Sequence, residues 1–191
     1  MRGKNREKIL EAGFRLFYER GFEATGIQEI TMASGVPKGS FYNYFSSKTD
    51  FASGVLQLYG ERQSEYLRHN LIEGDGSPLG RLKSLFETWT VQFFEEEGRG
   101  CLAGNLGQEL ANNGGAFQAT LAGVMNELES FYVSAIRAAQ EAGEVSEDFD
   151  AEDIGAFLFN GWQGAMLRAK ATRSSEPFEQ FIDLVFGQVL R

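Results

Sequence analysis

Two short stretches carry side chains whose types and spacing suit particular chemistry. Residues 36–48 read VPKGSFYNYFSSK, two lysines among four aromatics in a chain whose net charge is −9. Lys38, Ser40 and the hydroxyls of Tyr42 and Tyr44 are donors suited to phosphate oxygens, and Gly39 lets backbone approach a phosphate closely. Asn43 is a residue type that reads a base edge. Lys48 falls at the start of the next predicted helix, where its charge adds to backbone N–H groups facing a phosphate. Phe41 and Phe45 are read as core, because one helix face cannot bury all four aromatics.

The second stretch is GRGCLAGNLGQEL at 98–110, which holds Cys101, the single cysteine. It lies near a predicted helix N-terminus, where the dipole lowers a thiol pKa and raises the thiolate fraction. Arg99 is close enough in sequence to assist. The competing reading is a buried, inert cysteine packing as a small hydrophobe, and the residues alone leave both open. GRGCLA also matches a nucleotide-binding G-x-G-x-x-A pattern. The match is rejected, since that fingerprint follows a strand and here the preceding residues are EEE.

The elements that must position these residues read as helices throughout. Ile9, Leu10, Gly13, Phe14 and Phe17 recur at helical spacing between Arg6 and Arg20, and Gly21 closes the run. A short helix follows with Ile27, Ile30 and Ala33 or Ser34 inward, stopped at Gly35. Pro37 opens another short helix that should run to about Phe45. Ser47 and Asp50 form a capping-box-like pair at the head of a long helix that continues to the breaker GDGSP at 74–78. Further helices are predicted at 79–96, with Leu82, Leu85, Phe86, Trp89 and Phe93 on one face, and at about 102–112, 115–142, 151–172 and 177–190. The fold class is all-α: a three-helix helix-turn-helix head at 1–46 and a bundle-like helical body at 47–191.

Charge divides along the same line. Residues 1–50 hold eight Lys/Arg against six Asp/Glu, and the remainder ten against 21. A basic balance is thus confined to the part containing VPKGSFYNYF, which suits a small polyanion-binding head on an acidic module with another task. The N-terminus has no apolar run of a secretory signal, no segment approaches the roughly 20 apolar residues of a membrane span, and a lone cysteine fits a reducing compartment. The expected location is the cytoplasm. His69, the only histidine, has no Cys or His partner, so neither a metal nor a cofactor is expected.

The ordered stretch GFEATGIQEITMASGVPKGSFYNYFSSKTDF, from Gly21 to Phe51, resembles the DNA-binding domain of TetR/AcrR-type repressors. That resemblance implies a homodimeric, ligand-responsive transcriptional repressor acting on double-stranded operator DNA, with 47–191 as its helical-bundle ligand-binding and dimerisation domain. It puts Thr25, Gln28, Lys38, Gly39, Ser40, Tyr42, Asn43, Tyr44 and Lys48 where the family contacts its operator. Gly26 departs from the Thr or Ser common there, so a hydroxyl contact to phosphate is lost. GRGCLAGNLGQEL and NGWQGAMLRAK (160–170) look like the branch of acrylate-responsive and electrophile-responsive repressors, some of which sense through a cysteine in a similar context.

An effector pocket should be apolar with a few polar groups, and Trp89, Phe93, Cys101, Asn105, Gln108, Tyr132, Trp162 and Arg168 are its candidates. Arg168 suits the carboxylate of an acrylate-like ligand, though an ion pair with a nearby Glu is the commoner use of such an arginine. The apolar residues of the last two helices exceed what those helices hide in one protomer, and the resemblance assigns them to the dimer interface. Two rival readings remain. One is an all-helical enzyme with Cys101 as nucleophile, which lacks a histidine on the same helix and any spaced carboxylate pair. The other is a protein-binding module without DNA affinity.

Overall fold

The computed structural model describes residues 2–110 and 115–190, and in these every regular element is helical. Helices α1 (Arg2–Arg20), α2 (Ile27–Ser34) and α3 (Lys38–Phe41) lead into α4 (Lys48–Leu67), which ends in a π-helical turn over Arg68–Ile72. Then come α5 (Pro78–Glu95), α6 (Leu102–Leu110), α7 (Gly115–Glu141), α8 (Ala151–Thr172) and α9 (Glu176–Leu184), with a second π-helical turn over Val185–Val189. The end of α6 expected near residue 112 lies outside the described residues. Two compact units are present. One comprises 1–62 and 102–125, the other 63–101 and 126–191. The partition differs from a cut at 46/47 because the first turns of α4 pack with α1 through Phe51, and because α6 docks on the loop that follows α1.

In the first unit, Phe51 is the centre of a ring cluster. Phe17, Phe41 and Phe45 lie 5.6, 5.2 and 4.9 Å from it, centroid to centroid, in edge-on or tilted arrangements that aromatic quadrupoles favour. The ring lies against Gly13 of α1, where an added Cβ would fall 2.1 Å from the Phe51 Cζ. Ile9, Ile30 and Leu56 of the same unit are fully buried. Helix α2 ends on Gly35 in the left-handed conformation, φ 66°, so a side chain there would be strained.

Three local expectations shift. Thr31, not Ala33, is the second buried residue of α2; Ala33 is exposed, and Ser34 is half-buried. Thr31 tolerates burial because its hydroxyl donates to the Gln28 carbonyl at 2.9 Å. Helix α3 stops at Phe41 rather than Phe45; the Tyr44 and Phe45 N–H groups both turn back to the Phe41 carbonyl, at 3.0 and 3.1 Å. The Ser47–Asp50 pair forms half of its capping box. The Asp50 N–H donates to Ser47 Oγ at 3.0 Å, but the Asp50 carboxylate receives Ser46, through its N–H at 2.7 Å and its hydroxyl at 2.9 Å.

The second unit is built around Phe86 of α5, with the rings of Trp162, Phe181 and Tyr132 at 4.7, 5.2 and 5.9 Å. Helices α7 and α8 meet closely at Gly155, where a Cβ would lie 2.8 Å from the Val133 backbone nitrogen. Ser77 caps α5 by accepting from the Gly80 N–H at 3.1 Å, and the Glu144 carboxylate accepts the Leu79 N–H at 2.9 Å. Of the apolar residues in the last two helices, Ile154, Leu158, Trp162, Phe178 and Val185 are buried within the protomer. Phe157, Leu167, Leu184 and Val189 remain exposed.

Candidate nucleic-acid interface and effector region

The predicted reading surface comes from α2, α3 and the turn after them, all in the first unit. Gln28, Lys38, Gly39, Tyr42 and Asn43 are exposed, while Ser40, Tyr44 and Lys48 are half-buried. Tyr42 is 54% exposed, its ring edge-on to Phe41 at 5.4 Å, so the buried phenylalanine steadies the tyrosine from below. A Cβ at Gly39 would meet nothing within 4 Å, which leaves the backbone open to close approach. The Lys48 ammonium stands over the Phe22 ring, 4.0 Å from its centroid, in cation–π geometry.

Thr25 does not belong to this surface. It is 1% exposed, and its hydroxyl donates to the Gly21 carbonyl at 2.8 Å, tying the start of the α1–α2 loop to its end. Gly26 occupies the N-cap of α2, and Glu29 reaches back to accept its N–H at 2.8 Å, supplying the carboxylate half of a capping box whose hydroxyl half glycine lacks.

Among the predicted effector residues, Trp89, Phe93, Tyr132 and Trp162 share one aromatic cluster in the second unit. Trp89 lies 6.2 Å from Trp162, Trp162 lies 4.6 Å from Phe178, and Phe178 lies 5.1 Å from Phe93. Cys101 belongs to the same unit and is buried, 9% exposed. The chain reaches it through a tight bend. Glu97 and Gly98 adopt φ 59° and 72°, Gly100 φ 73°, and a Cβ on Gly100 would press the Met166 sulfur at 3.3 Å. Arg99 pairs with Glu97 at 3.2 Å. Tyr132 is held protonated well above its ordinary value of 10.0, by burial first and then by the field of Cys101, so thiol and phenol are electrostatic neighbours.

Arg168 is exposed on α8. Asn105, half-buried, and Gln108, exposed, sit on α6 in the first unit. Composition proposed these residues without saying which face of its helix each one occupies.

Sequence reasoning also missed two features. A cleft of about 420 Å³ in the second unit is lined by residues that include Tyr66, His69, Asn70, Arg81, Ser84 and Leu85. Arg81 closes its floor by donating to the Leu71, Gly74 and Gly76 carbonyls at 2.8, 3.1 and 2.8 Å. The GDGSP tract marked this loop as a breaker, but nothing local named the arginine that would clasp it. In the first unit, Glu109 of α6 binds backbone amides 87 and 86 residues away. Such a pairing has no periodic signature.

Comparison with known proteins completes the description. Residues 9–55 match the family model described as bacterial regulatory proteins, tetR family. Residues 78–185 match the tetracyclin repressor-like C-terminal domain. The transcriptional regulator AcuR of Cereibacter sphaeroides is 36% identical over 177 residues, covering 92% of this chain and 80% of that protein. The HTH-type transcriptional repressor DhaR of Mycobacterium sp. is 34% identical, covering 97% of this chain and 92% of its own. The crystal structure of reduced Escherichia coli NemR superposes with a TM-score of 0.86 at 27% identity, covering 97% and 96% of the two chains.

Proposed function

The chain belongs to the TetR family of bacterial transcriptional regulators, and from there we propose that it grips a palindromic operator as a homodimer and releases it when a small effector engages the second unit. The family and its relatives here are DNA-binding regulators, not enzymes. Among the described residues no helix is long and apolar enough to cross a membrane, and the proposed place of action is the cytoplasm.

The observation that carries the reading is the split of side chains after Pro37. Phe41 is buried, while Lys38, Gly39, Tyr42 and Asn43 stay exposed beside it. In the proposed complex Lys38, Ser40, Tyr42, Tyr44 and Lys48 hold phosphates, Gly39 admits the backbone to close range, and Asn43 and Gln28 read base edges. Thr25 is left out, because its hydroxyl is committed inside the fold. Residues 1–46 then form the reading head and 47–191 the sensing and dimerisation part. Dimerisation has a geometric purpose, since two heads must meet major grooves about 34 Å apart or a multiple of it. Exposed Phe157 and Leu167 on α8 and Leu184 on α9 supply apolar surface for that contact.

For the effector we propose a small electrophilic or unsaturated acid engaging the aromatic cluster and Cys101. The Cys101 thiol would give up its proton as its sulfur adds to the β-carbon of the conjugated ligand, the carbon–carbon double bond would open, and the α-carbon would take up one proton in return. Effector binding shifts the operator equilibrium only in proportion to its preference for the releasing state.

Titration of the purified protein against DNA fragments selected from random duplexes tests the main reading. Tight, salt-sensitive binding to a palindrome supports it, and the absence of any sequence preference overturns it. Mass spectrometry after one equivalent of an acrylamide-type alkylator tests the second part. An unmodified Cys101, or a Cys101→Ser variant that releases DNA normally, removes the thiol from the mechanism.

A further inference from the structure

Glu109 joins α6 to the loop that precedes the reading helices, and does so within the first unit. Its Oε1 accepts the Phe22 N–H at 3.0 Å and its Oε2 accepts the Glu23 N–H at 2.8 Å. The neighbouring amides find partners locally: Gly21 with the Phe17 carbonyl at 2.9 Å, Thr25 with the Phe22 carbonyl at 3.1 Å, Gly26 with Glu29. The carboxylate lies so close to Gly21 that a Cβ there would stand 2.8 Å from Oε1. One carboxylate gripping two consecutive amides fixes a loop in place as well as in orientation, and charge-assisted bonds of this kind are among the stronger ones.

What the loop carries gives this grip a functional meaning. The Phe22 ring is buried against Phe17 at 5.5 Å, and its face supports the Lys48 ammonium at 4.0 Å. A line of contacts therefore runs from Glu109 through the Phe22 backbone and ring to Lys48. We propose that Glu109 is a positioning residue for operator binding, setting through Phe22 where Lys48 presents its charge. The proposal rests on the reading of Lys48 as a phosphate contact. It also makes a prediction that simple electrostatics reverses. Glu109 is a negative charge in a protein of net charge −9, so removing it should tighten binding to a polyanion if charge alone mattered. Positioning predicts weaker binding.

The experiment uses the full-length protein and the duplex that the wild type selects from a random pool, titrated across a salt series. Lys48→Ala should weaken binding about five- to tenfold and lower the salt slope by about two, one phosphate per protomer. Glu109→Ala should weaken binding about fivefold and lower the slope in the same direction. The double variant should be no weaker than Lys48→Ala within about twofold, because the two changes remove one contact. Glu109→Gln keeps one acceptor oxygen and nearly the same shape, so it should fall between wild type and Glu109→Ala. It also carries the test if the alanine variant fails to fold.

Binding by Glu109→Gln that equals or exceeds wild type overturns the proposal in favour of plain charge. Losses that multiply in the double variant overturn it too, since Glu109 would then act elsewhere than on Lys48. An unchanged affinity and slope in Lys48→Ala removes the phosphate assignment and the proposal together, while operator binding by the wild type stands apart from both.

Discussion

Residues 36–48 and the surroundings of Phe86 are both dense in aromatic rings, yet they treat them oppositely. In the first region the rings divide. Phe41 and Phe45 go inside, Tyr42 is 54% exposed and Tyr44 is half-buried. In the second, Phe86, Tyr132, Trp162 and Phe178 are all buried, with neighbouring centroids as close as 4.6 Å. The difference fits the partner proposed for each region. A surface that meets DNA must hold its polar groups in water beforehand, so rigidity comes from the buried half of the same segment. An effector that entered the second region, as proposed above, would have to part rings already in contact, so occupancy there would entail rearrangement.

The sharpest way to break this contrast is to remove a ring from each side. Phe41→Ala and Trp162→Ala should each cost about 3–5 kcal/mol in chemical denaturation, as large-to-small core changes do. Phe41→Ala should also abolish operator binding. A cost below about 1 kcal/mol for Trp162→Ala would mean that the second region is loosely packed and already open to a ligand. Next in size is Asn43→Ala. It should lose about 1–3 kcal/mol of operator affinity, concentrated at one base position, while folding stability stays within about 0.5 kcal/mol. Equal losses across all sequences would make Asn43 a phosphate contact instead.

Smaller effects separate the regions by pH. Tyr132 ionises in the unfolded chain near its ordinary 10.0, whereas in the fold burial and then Cys101 hold the proton to higher pH. The unfolded state therefore deprotonates first, and stability present below pH 10 drains away as the pH rises through that window. Tyr132→Phe should flatten this alkaline limb in thermal melts, and an alkaline limb identical to wild type would show that the buried phenol does not set it. The smallest change concerns Glu144. The Leu79 amide, and after it Ser77, keep its carboxyl below the ordinary 4.5. Its contribution is present above pH 4.5 and lost as the pH falls through the lower folded value. Glu144→Gln should shallow the acid limb of a stability profile, and an identical acid limb would show the α5 cap to be inert.

Legibility in the sequence followed the range of the interaction. Helix ends were readable wherever the chain punctuates itself, at Gly21, Gly35, the GDGSP tract and Gly143, because a left-handed or breaker residue acts alone. The inside of the reading head was readable from spacing, which put Phe41 and Phe45 in the core. Errors began where a side chain chose between local partners. Thr25 turned its hydroxyl inward to Gly21, and Asp50 took Ser46 in place of Ser47. They were complete where the partner lay far along the chain. No local pattern marks Glu109 as the acceptor for Phe22 and Glu23, or Arg81 as the clasp of its loop. For the proposed effector set, composition named residue types without saying which helix faces meet.

Gly13 carries a lesson for anyone who would retarget this protein to a new DNA sequence. An alanine in the middle of a helix ordinarily stabilises it by nearly 1 kcal/mol over glycine, so a stabilising screen would choose Gly13→Ala early. Here the added methyl would fall 2.1 Å from the Phe51 ring, the hub on which Phe17, Phe41 and Phe45 converge. The change would press α1 away from α4 and disturb the segment that carries the proposed base-reading side chains. A library that randomises Gln28 and Asn43 should therefore keep position 13 fixed, as the pivot that lets new contacts inherit the old geometry.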